Sequence, residues 1–351
     1  MPIMYTIKYL ENWVAEKKLP KYRAKQIYQA ITKELVSDWH EANGLPKDLQ
    51  SILVEELPIS TLKIKVQLEA KNQDSIKIAF ETEDNKIIES VLMRHDGERN
   101  TVCVSTQIGC PMNCAFCATG KMGFIRNLTA EEMVDQVLEF ARLLNAEPYT
   151  PNPGNVNSVV FMGMGEPFLN YENVMEAIKI LNDNQGFNLG HRHMTISTAG
   201  IVPGILRFAE EDVQVNLAIS LHAPNDEIRN SIMPVSKQYP LEKLLPAVSE
   251  YMGKTNRKVF FEYILLHGIN DSDANIQELI DLMRQYFPGQ FNLVHINLIE
   301  YNETEEKDLK SPDKERVQKV FDILQKNKIL TTIRHKFGED ISAACGQLAG
   351  K

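Results

Sequence analysis

The sequence lacks the marks of several protein classes. No apolar run approaches the roughly 20 residues needed to cross a bilayer, and Met1 to Pro20 is charged throughout, so neither a membrane span nor a signal peptide is expected. Positive charge is in deficit: 38 Lys and Arg face 47 Asp and Glu, for a net −9. That argues against a broad basic coat for nucleic acid, though a local basic groove is compatible with it. No internal repeat is visible. Only 5 cysteines occur in 351 residues. With no secretory signal, they point to a reducing, cytoplasmic compartment and to metal-binding or catalytic thiols, not a disulfide scaffold. The remainder, 43% apolar and 24% charged, is the composition of an ordinary globular chain.

What is present is concentrated. Cys110, Cys114 and Cys117 stand in a C-x3-C-x2-C pattern. A packed core has no need for three adjacent thiols, whereas zinc and iron–sulfur clusters select thiolates. Structural zinc takes four ligands, usually as two separated C-x2-C pairs, and the other cysteines, Cys103 and Cys345, stand apart. In a 4Fe–4S cluster, three thiolates leave one iron open to bind a cofactor or substrate.

The chain reads in three parts. Residues 1–60 show helical periodicity: Ile7, Leu10 and Val14, then Ala24, Ile27, Tyr28, Ile31 and Leu35, then Leu49, Ile52, Leu53 and Leu57. The first two helices flank the densest basic run, Lys17 to Lys25. Residues 61–95 change to period two, with Leu62, Ile64, Val66 and Leu68, then Ile76, Ile78 and Phe80, a turn at Asp84-Asn85, and a third run from Ile87 to Met93. Glu89 lies in that third run, where a lone carboxylate ordinarily faces solvent. Residues 96–351 alternate strands and helices. Strands are expected at Thr101–Thr106, Ser158–Met162, Met194–Ser197, Val215–Ser220, Val259–Leu265, Leu293–Leu298 and Thr331–Arg334. One helix opens on Thr129-Ala130-Glu131-Glu132, a capping box, and another carries Val174, Ala177, Ile178 and Leu181 inward. A loop with Pro148, Pro151, Pro153 and Gly154 is expected over Asn145–Asn157. Strand–helix repetition implies a parallel α/β sheet with right-handed crossovers. About six units are too few for a closed barrel, so a partial (β/α)6 barrel is expected.

Active sites in such sheets form at the carboxyl ends of the strands. The cysteine triad follows the first core strand, Gly163-Met164-Gly165-Glu166-Pro167 the second, Ser197 to Gly200 the third, Ser220-Leu221-His222-Ala223-Pro224 the fourth, and Tyr301-Asn302 the sixth. Each is weak alone; their recurrence at equivalent strand ends is not.

These motifs carry a resemblance. CVSTQIGCPMNCAFCATGKMGFIRNLT, VVFMGMGEPFLNY, ISTAG, NLAISLHAPND, MPVSKQYP and ISAACGQLAG resemble the radical S-adenosylmethionine (SAM) superfamily, and within it the RlmN/Cfr class of RNA adenine methyltransferases. YRAKQIYQAI resembles that class's N-terminal, RNA-binding accessory domain. The resemblance implies that Cys110, Cys114 and Cys117 hold a 4Fe–4S cluster whose open iron binds SAM. It implies that Gly165, Glu166, Ser197, Ser220, Leu221, His222 and Asn302 contact SAM. Cys345 would accept a methyl group, Cys103 would resolve a covalent protein–RNA intermediate by forming a disulfide with Cys345, and Glu89 would accept the proton.

The adenine carbon between two nitrogens is electron-poor and cannot displace a methyl group from SAM. The class is expected to use two SAM per turnover: one methylates Cys345, and the second yields a radical that activates that methyl group for addition to the ring. The implied partners are 23S rRNA, tRNA and an external electron donor such as flavodoxin, with no membrane and a monomeric protein. The expected product is adenosine methylated at carbon 2, in the peptidyl-transferase centre and 3′ of the tRNA anticodon. Methylation at carbon 8 of the rRNA adenosine, a radical SAM enzyme with another substrate, and a non-catalytic iron–sulfur carrier are the alternatives. Lys121 and the Lys17, Lys18, Lys21, Arg23, Lys25 run are the expected basic rim for RNA.

Overall fold

The structure, a computed structural model, describes residues 6–95, 99–146, 155–302 and 308–350. The chain opens with helices α1 (Ile7–Glu16), α2 (Tyr22–Thr32) and α3 (Lys47–Glu56). The Thr6 hydroxyl caps α1 by accepting from the Tyr9 amide at 3.2 Å. The expected stripes are the buried ones, including Leu10 and Val14, Ile27 and Ile31, and Leu49 and Leu53. Two contacts fasten these helices and the strand that follows to the core. The Tyr28 hydroxyl donates to Asp183 Oδ2 at 3.0 Å. The amide and hydroxyl of Thr61 both donate to Asp135 Oδ2 at 2.6 Å.

Strands β1 (Lys63–Glu69), β2 (Ser75–Glu81), β3 (Ile87–His95) and β4 (Arg99–Cys103) follow as an antiparallel run. They continue directly into the core: the sheet order is β1-β2-β3-β4-β7-β8-β9-β10-β11-β12. The later strands are β7 (Val156–Phe161), β8 (Met194–Thr198), β9 (Asn216–Ser220), β10 (Val259–Leu265), β11 (Val294–Glu300) and β12 (Leu330–Ile333), which with β4 run parallel. The sheet stays open, with edges at β1 and β12. The strands of 61–95 thus extend the central sheet. On edge strand β1 the alternation marks a strand correctly, yet Ile64, Val66 and Leu68 stay 48%, 44% and 41% exposed.

Between β4 and β7 lie three short elements and one long helix: β5 (Gln107–Gly109), α4 (Ala118–Lys121), β6 (Phe124–Asn127) and α5 (Ala130–Ala146). The β5–β6 hairpin was not expected, being too short for periodicity to show. The capping box forms: the Thr129 amide donates to Glu132 Oε2 at 2.9 Å and the Glu132 amide to Thr129 Oγ1 at 3.2 Å. Helix α5 buries Met133, Val137, Leu138 and Leu144, and α6 (Tyr171–Asn182) buries Val174, Ala177, Ile178 and Leu181. Each of these side chains other than Ala177 contributes about 1.5–3 kcal/mol of burial. Helices α7 (Val202–Phe208), α8 (Asp226–Ile232), α9 (Leu241–Thr255), α10 (Asp273–Tyr286) and α11 (Lys314–Lys326) complete the alternation. The proline-bearing stretch of the expected 145–157 loop lies outside the described residues. No helix among the described residues is long and apolar enough to cross a membrane.

Candidate active site

The cysteine triad rides on a loop closed by the β5–β6 hairpin. Gly109 turns at φ +71°, and a Cβ there would stand 1.8 Å from the Gly123 carbonyl oxygen, so only glycine fits. The Cys110 amide donates to Gly123 O at 3.0 Å and the Ala115 amide to Ile232 O at 2.9 Å. Cys110 and Cys114 are buried and Cys117 half-buried. Burial pushes the Cys110 thiol up to about 12 and the Cys114 thiol well up, with neighbouring thiols and Glu166 adding in the same direction. Thiolates here need a compensating cation, which a bound iron–sulfur cluster supplies. Among the described residues, no three His, Cys, Asp or Glu side chains converge as ligands of one ion. Three thiols on one short loop are the soft donor set that an iron–sulfur cluster takes.

The strand-end motifs gather around this loop. At Gly165 the backbone takes φ +103°, and a Cβ would lie 2.6 Å from Gln107 Cβ. The same Gln107 accepts the Glu166 amide at 2.8 Å. Glu166 is buried; its Oε1 accepts from the Phe168 amide at 3.0 Å and its Oε2 from the Ala199 amide at 2.6 Å, tying the end of β7 to that of β8. Burial pushes its carboxyl up to about 7, against these hydrogen bonds. Ser197 and Ser220 are half-buried and Leu221 wholly buried. His222 sits at φ +58° with Nδ1 accepting from the Ile264 amide at 3.0 Å, which leaves its proton on Nε2. Its ring meets Phe116 of the cysteine loop edge-on at 4.8 Å between centroids. Burial, then the nearby Arg229, holds this imidazole neutral, down to about 3.

Arg229 was missed by sequence reasoning. It is fully buried in α8 and donates to four carbonyls: Ala199 at 2.8 Å, Leu221 at 3.1 Å, Ser220 at 3.2 Å and Tyr239 at 3.3 Å. It clamps the two strand ends that bear Ser197 and Ser220. Gln107 was likewise not singled out.

Cys103, Cys117, Asn302 and Cys345 all line one cavity of about 580 Å³. Cys345, the farthest in sequence, is brought over the cysteine loop by backbone bonds: the Ala118 amide donates to Gly346 O at 2.7 Å, Thr119 Oγ1 to Leu348 O at 2.6 Å, and Asn302 Nδ2 to Cys345 O at 3.2 Å. Cys103 is half-buried, and Cys345 is exposed where it opens to the cavity; the enclosing cavity walls push Cys103 up to about 12 and Cys345 upward, while the nearby Arg334 guanidinium opposes both. Arg334 is itself held by Glu262 Oε1 at 2.9 Å, which also accepts from Asn297 at 2.9 Å. Gly165, Glu166, Ser197, Ser220, Leu221 and His222 do not line this cavity, and neither does Glu89. Glu89 is not solvent-facing, as an isolated strand carboxylate would be; it is buried under the C-terminal segment, 2% exposed.

The cavity is itself lined by basic residues that lie outside the Lys17–Lys25 run. Arg99, Arg192 and Lys336 line it together with His95, His193 and His335. The Phe337 ring packs edge-on against those of His95 and His335, with centroids at 4.8 and 4.6 Å. In the N-terminal run, Lys17 pairs with Glu56 and Lys21 with Glu11, and neither lysine lines the cavity.

Comparison with known proteins shows the family. Residues 104–280 match the Radical SAM superfamily model. The chain is 42% identical to a probable dual-specificity RNA methyltransferase RlmN of Staphylococcus carnosus (strain TM300), over 99% of this chain and 93% of that protein. It is 43% identical to one of the same name from Thermoanaerobacter sp. (strain X514), over 99% and 96%. Among solved structures, a radical SAM methyltransferase from Sphaerobacter thermophilus superposes with a TM-score of 0.93 at 43% identity, covering 100% of both chains. The chain is therefore an enzyme of the radical SAM superfamily and belongs, within it, to the RlmN-type RNA methyltransferases.

Proposed function

We propose that this enzyme methylates carbon 2 of adenosine in 23S rRNA and in tRNA, carrying the methyl group on Cys345. The observation that supports the reading best is the meeting of Cys345, near the far end of the sequence, with Cys103 and Cys117 on one cavity. A reading without a methyl-carrying thiol leaves Cys103 and Cys345 with no reason to face each other beside the cysteine loop.

Cys110, Cys114 and Cys117 would hold the cluster, and Gly165, Glu166, Ser197, Ser220, Leu221, His222 and Asn302 would bind SAM, with His222 acting as a neutral ring and Leu221 through its backbone. When bound, these groups supply the methyl group and the one-electron radical chemistry that a carbon centre requires. The chain's own residues do the rest. Cys345 presents its sulfur to the cavity, as nucleophile and then as carrier. The cavity receives an adenosine unstacked from its RNA, while Arg99, Arg192 and Lys336 meet phosphates at the mouth. Glu89 accepts the proton that leaves the ring carbon, and the Cys103 thiolate attacks the Cys345 sulfur: the bond from that sulfur to the methylene carbon breaks, the carbon keeps the electron pair and takes up a proton to become the product's methyl group, and a Cys103–Cys345 disulfide is left. An external donor such as flavodoxin supplies single electrons, the disulfide must be reduced before the next turnover, and the protein works as a monomer in the cytoplasm.

Two variants test this. Under anaerobic turnover, Cys345→Ala should form no methylated RNA. Cys103→Ala should accumulate a covalent protein–RNA species visible on a denaturing gel. Undiminished methyl transfer by Cys345→Ala would overturn the reading.

A further inference from the structure

The segment Ser342–Gly350 that carries Cys345 has no regular secondary structure, so its position is set by what grips it from outside. Part of that grip is ionic. Lys77 on β2 and Glu89 on β3 are 9% and 2% exposed and form an ion pair at 3.0 Å. They are diagonal neighbours on one face of the sheet, since Ala79 is the residue directly opposite Glu89. Beyond that pair, the bonds run to the C-terminal segment. Lys77 Nζ donates to Ser342 O at 3.2 Å, and Glu89 Oε2 accepts from the amides of Ala349 at 2.6 Å and Gly350 at 2.9 Å.

A buried ion pair is a poor way to stabilise a sheet, because well-packed apolar side chains of the same volume serve as well or better. What an ion pair supplies here is direction. The ammonium holds the start of the segment and the carboxylate holds its end, with Cys345 between them. We propose that Lys77 and Glu89 form a latch that docks the Cys345 segment over the cysteine loop, so that Glu89 is a positioning residue while the latch is closed. With the latch closed, Oε1 is taken by Lys77 and Oε2 by two amides. Glu89 is then free to take up a substrate proton only after the last residues of the segment let go. Docking of the thiol and proton acceptance thereby alternate on one carboxylate.

The inference rests on the reading of Cys345 as the reactive thiol only for its meaning in catalysis. Its test uses no RNA and no turnover, so the two fail separately. In the full-length, cluster-loaded protein held anaerobically, hydrogen exchange of a peptide spanning 342–350 is measured for wild type, Lys77→Met, Glu89→Ala and Glu89→Gln. Charge-assisted hydrogen bonds are the strong ones, so exchange should quicken on the order of tenfold or more in Glu89→Ala and in Lys77→Met. It should quicken less in Glu89→Gln, whose carbonyl still accepts from the amides. Peptides from β7 to β11 should be unchanged. A chain truncated after Leu348 removes both donor amides and should quicken exchange over 342–348, read against the same residues of the full chain, even if a point variant folds poorly. Unchanged exchange in all the variants, or a rise shared equally by β7 to β11, would overturn the latch.

Discussion

Arg229→Met removes a guanidinium that no solvent reaches and leaves four backbone carbonyls, on Ala199, Ser220, Leu221 and Tyr239, without that donor. Each buried acceptor left unpaired costs about 1–3 kcal/mol. Against this, the variant no longer buries a charge, a cost apparent in the guanidinium being pulled down to about 10 by burial. Four such acceptors, offset by the relief of that buried charge, leave a net loss on the order of 3–5 kcal/mol. At roughly 2 °C per kcal/mol for a chain of this size, thermal unfolding followed by circular dichroism should fall by about 6–10 °C. Because three of the carbonyls, on Ala199, Ser220 and Leu221, belong to the ends of β8 and β9, SAM binding by equilibrium dialysis should weaken with the stability loss. Arg229→Lys should lie between, since one ammonium cannot reach four diverging acceptors. A melting temperature within about 2 °C of wild type together with unchanged SAM affinity would refute the clamp.

Further outcomes follow from other parts of the site and its surroundings. Gly165→Ala places a methyl group 2.6 Å from Gln107 Cβ at φ +103°, so SAM affinity should drop at least about tenfold while far-ultraviolet circular dichroism is retained. Charge reversal at Arg99 and Arg192, which line the cavity, should weaken RNA binding and flatten its salt slope by about one for each phosphate no longer neutralised, whereas reversal at Lys17 and Lys21, already paired with Glu56 and Glu11, should leave that slope unchanged. The Asp84 carboxyl is held well below its usual range, chiefly by hydrogen bonds from Arg126. A depressed carboxyl contributes stability above its unfolded-state value that disappears as pH falls through the lower folded-state value. Asp84→Asn should therefore cost at most about 1 kcal/mol at pH 7, this being a half-exposed pair, and should flatten the loss of stability below about pH 4 in acid-titrated melts.

Much of the site was legible in the sequence because it is local. Five of the seven expected core strands are followed by a motif of their own, so reading the strand also placed Glu166, Ser197, His222 and Asn302 at one end of the sheet. The Thr129–Glu132 capping box was equally local. What escaped was non-local. The burial of Glu89 depends on amides at 349 and 350, some 260 positions away. Arg229 looks like one more charge on a short helix until four carbonyls converge on it. The basic rim is assembled from single residues on distant segments, while the conspicuous Lys17–Lys25 run has two of its lysines paired with local carboxylates. Alternation on β1 locates the strand but cannot reveal that no described element covers its apolar side chains.

Methylation at carbon 2 through Cys345 is tested most directly by anaerobic turnover of the cluster-loaded protein with SAM, a reductant and fragments of 23S rRNA and tRNA. The RNA is then digested and resolved by mass spectrometry against authentic 2- and 8-methyladenosine. The expected outcome is 2-methyladenosine in both RNAs, lost in Cys345→Ala. Finding 8-methyladenosine, or no methylated adenosine while SAM is still consumed, would contradict it.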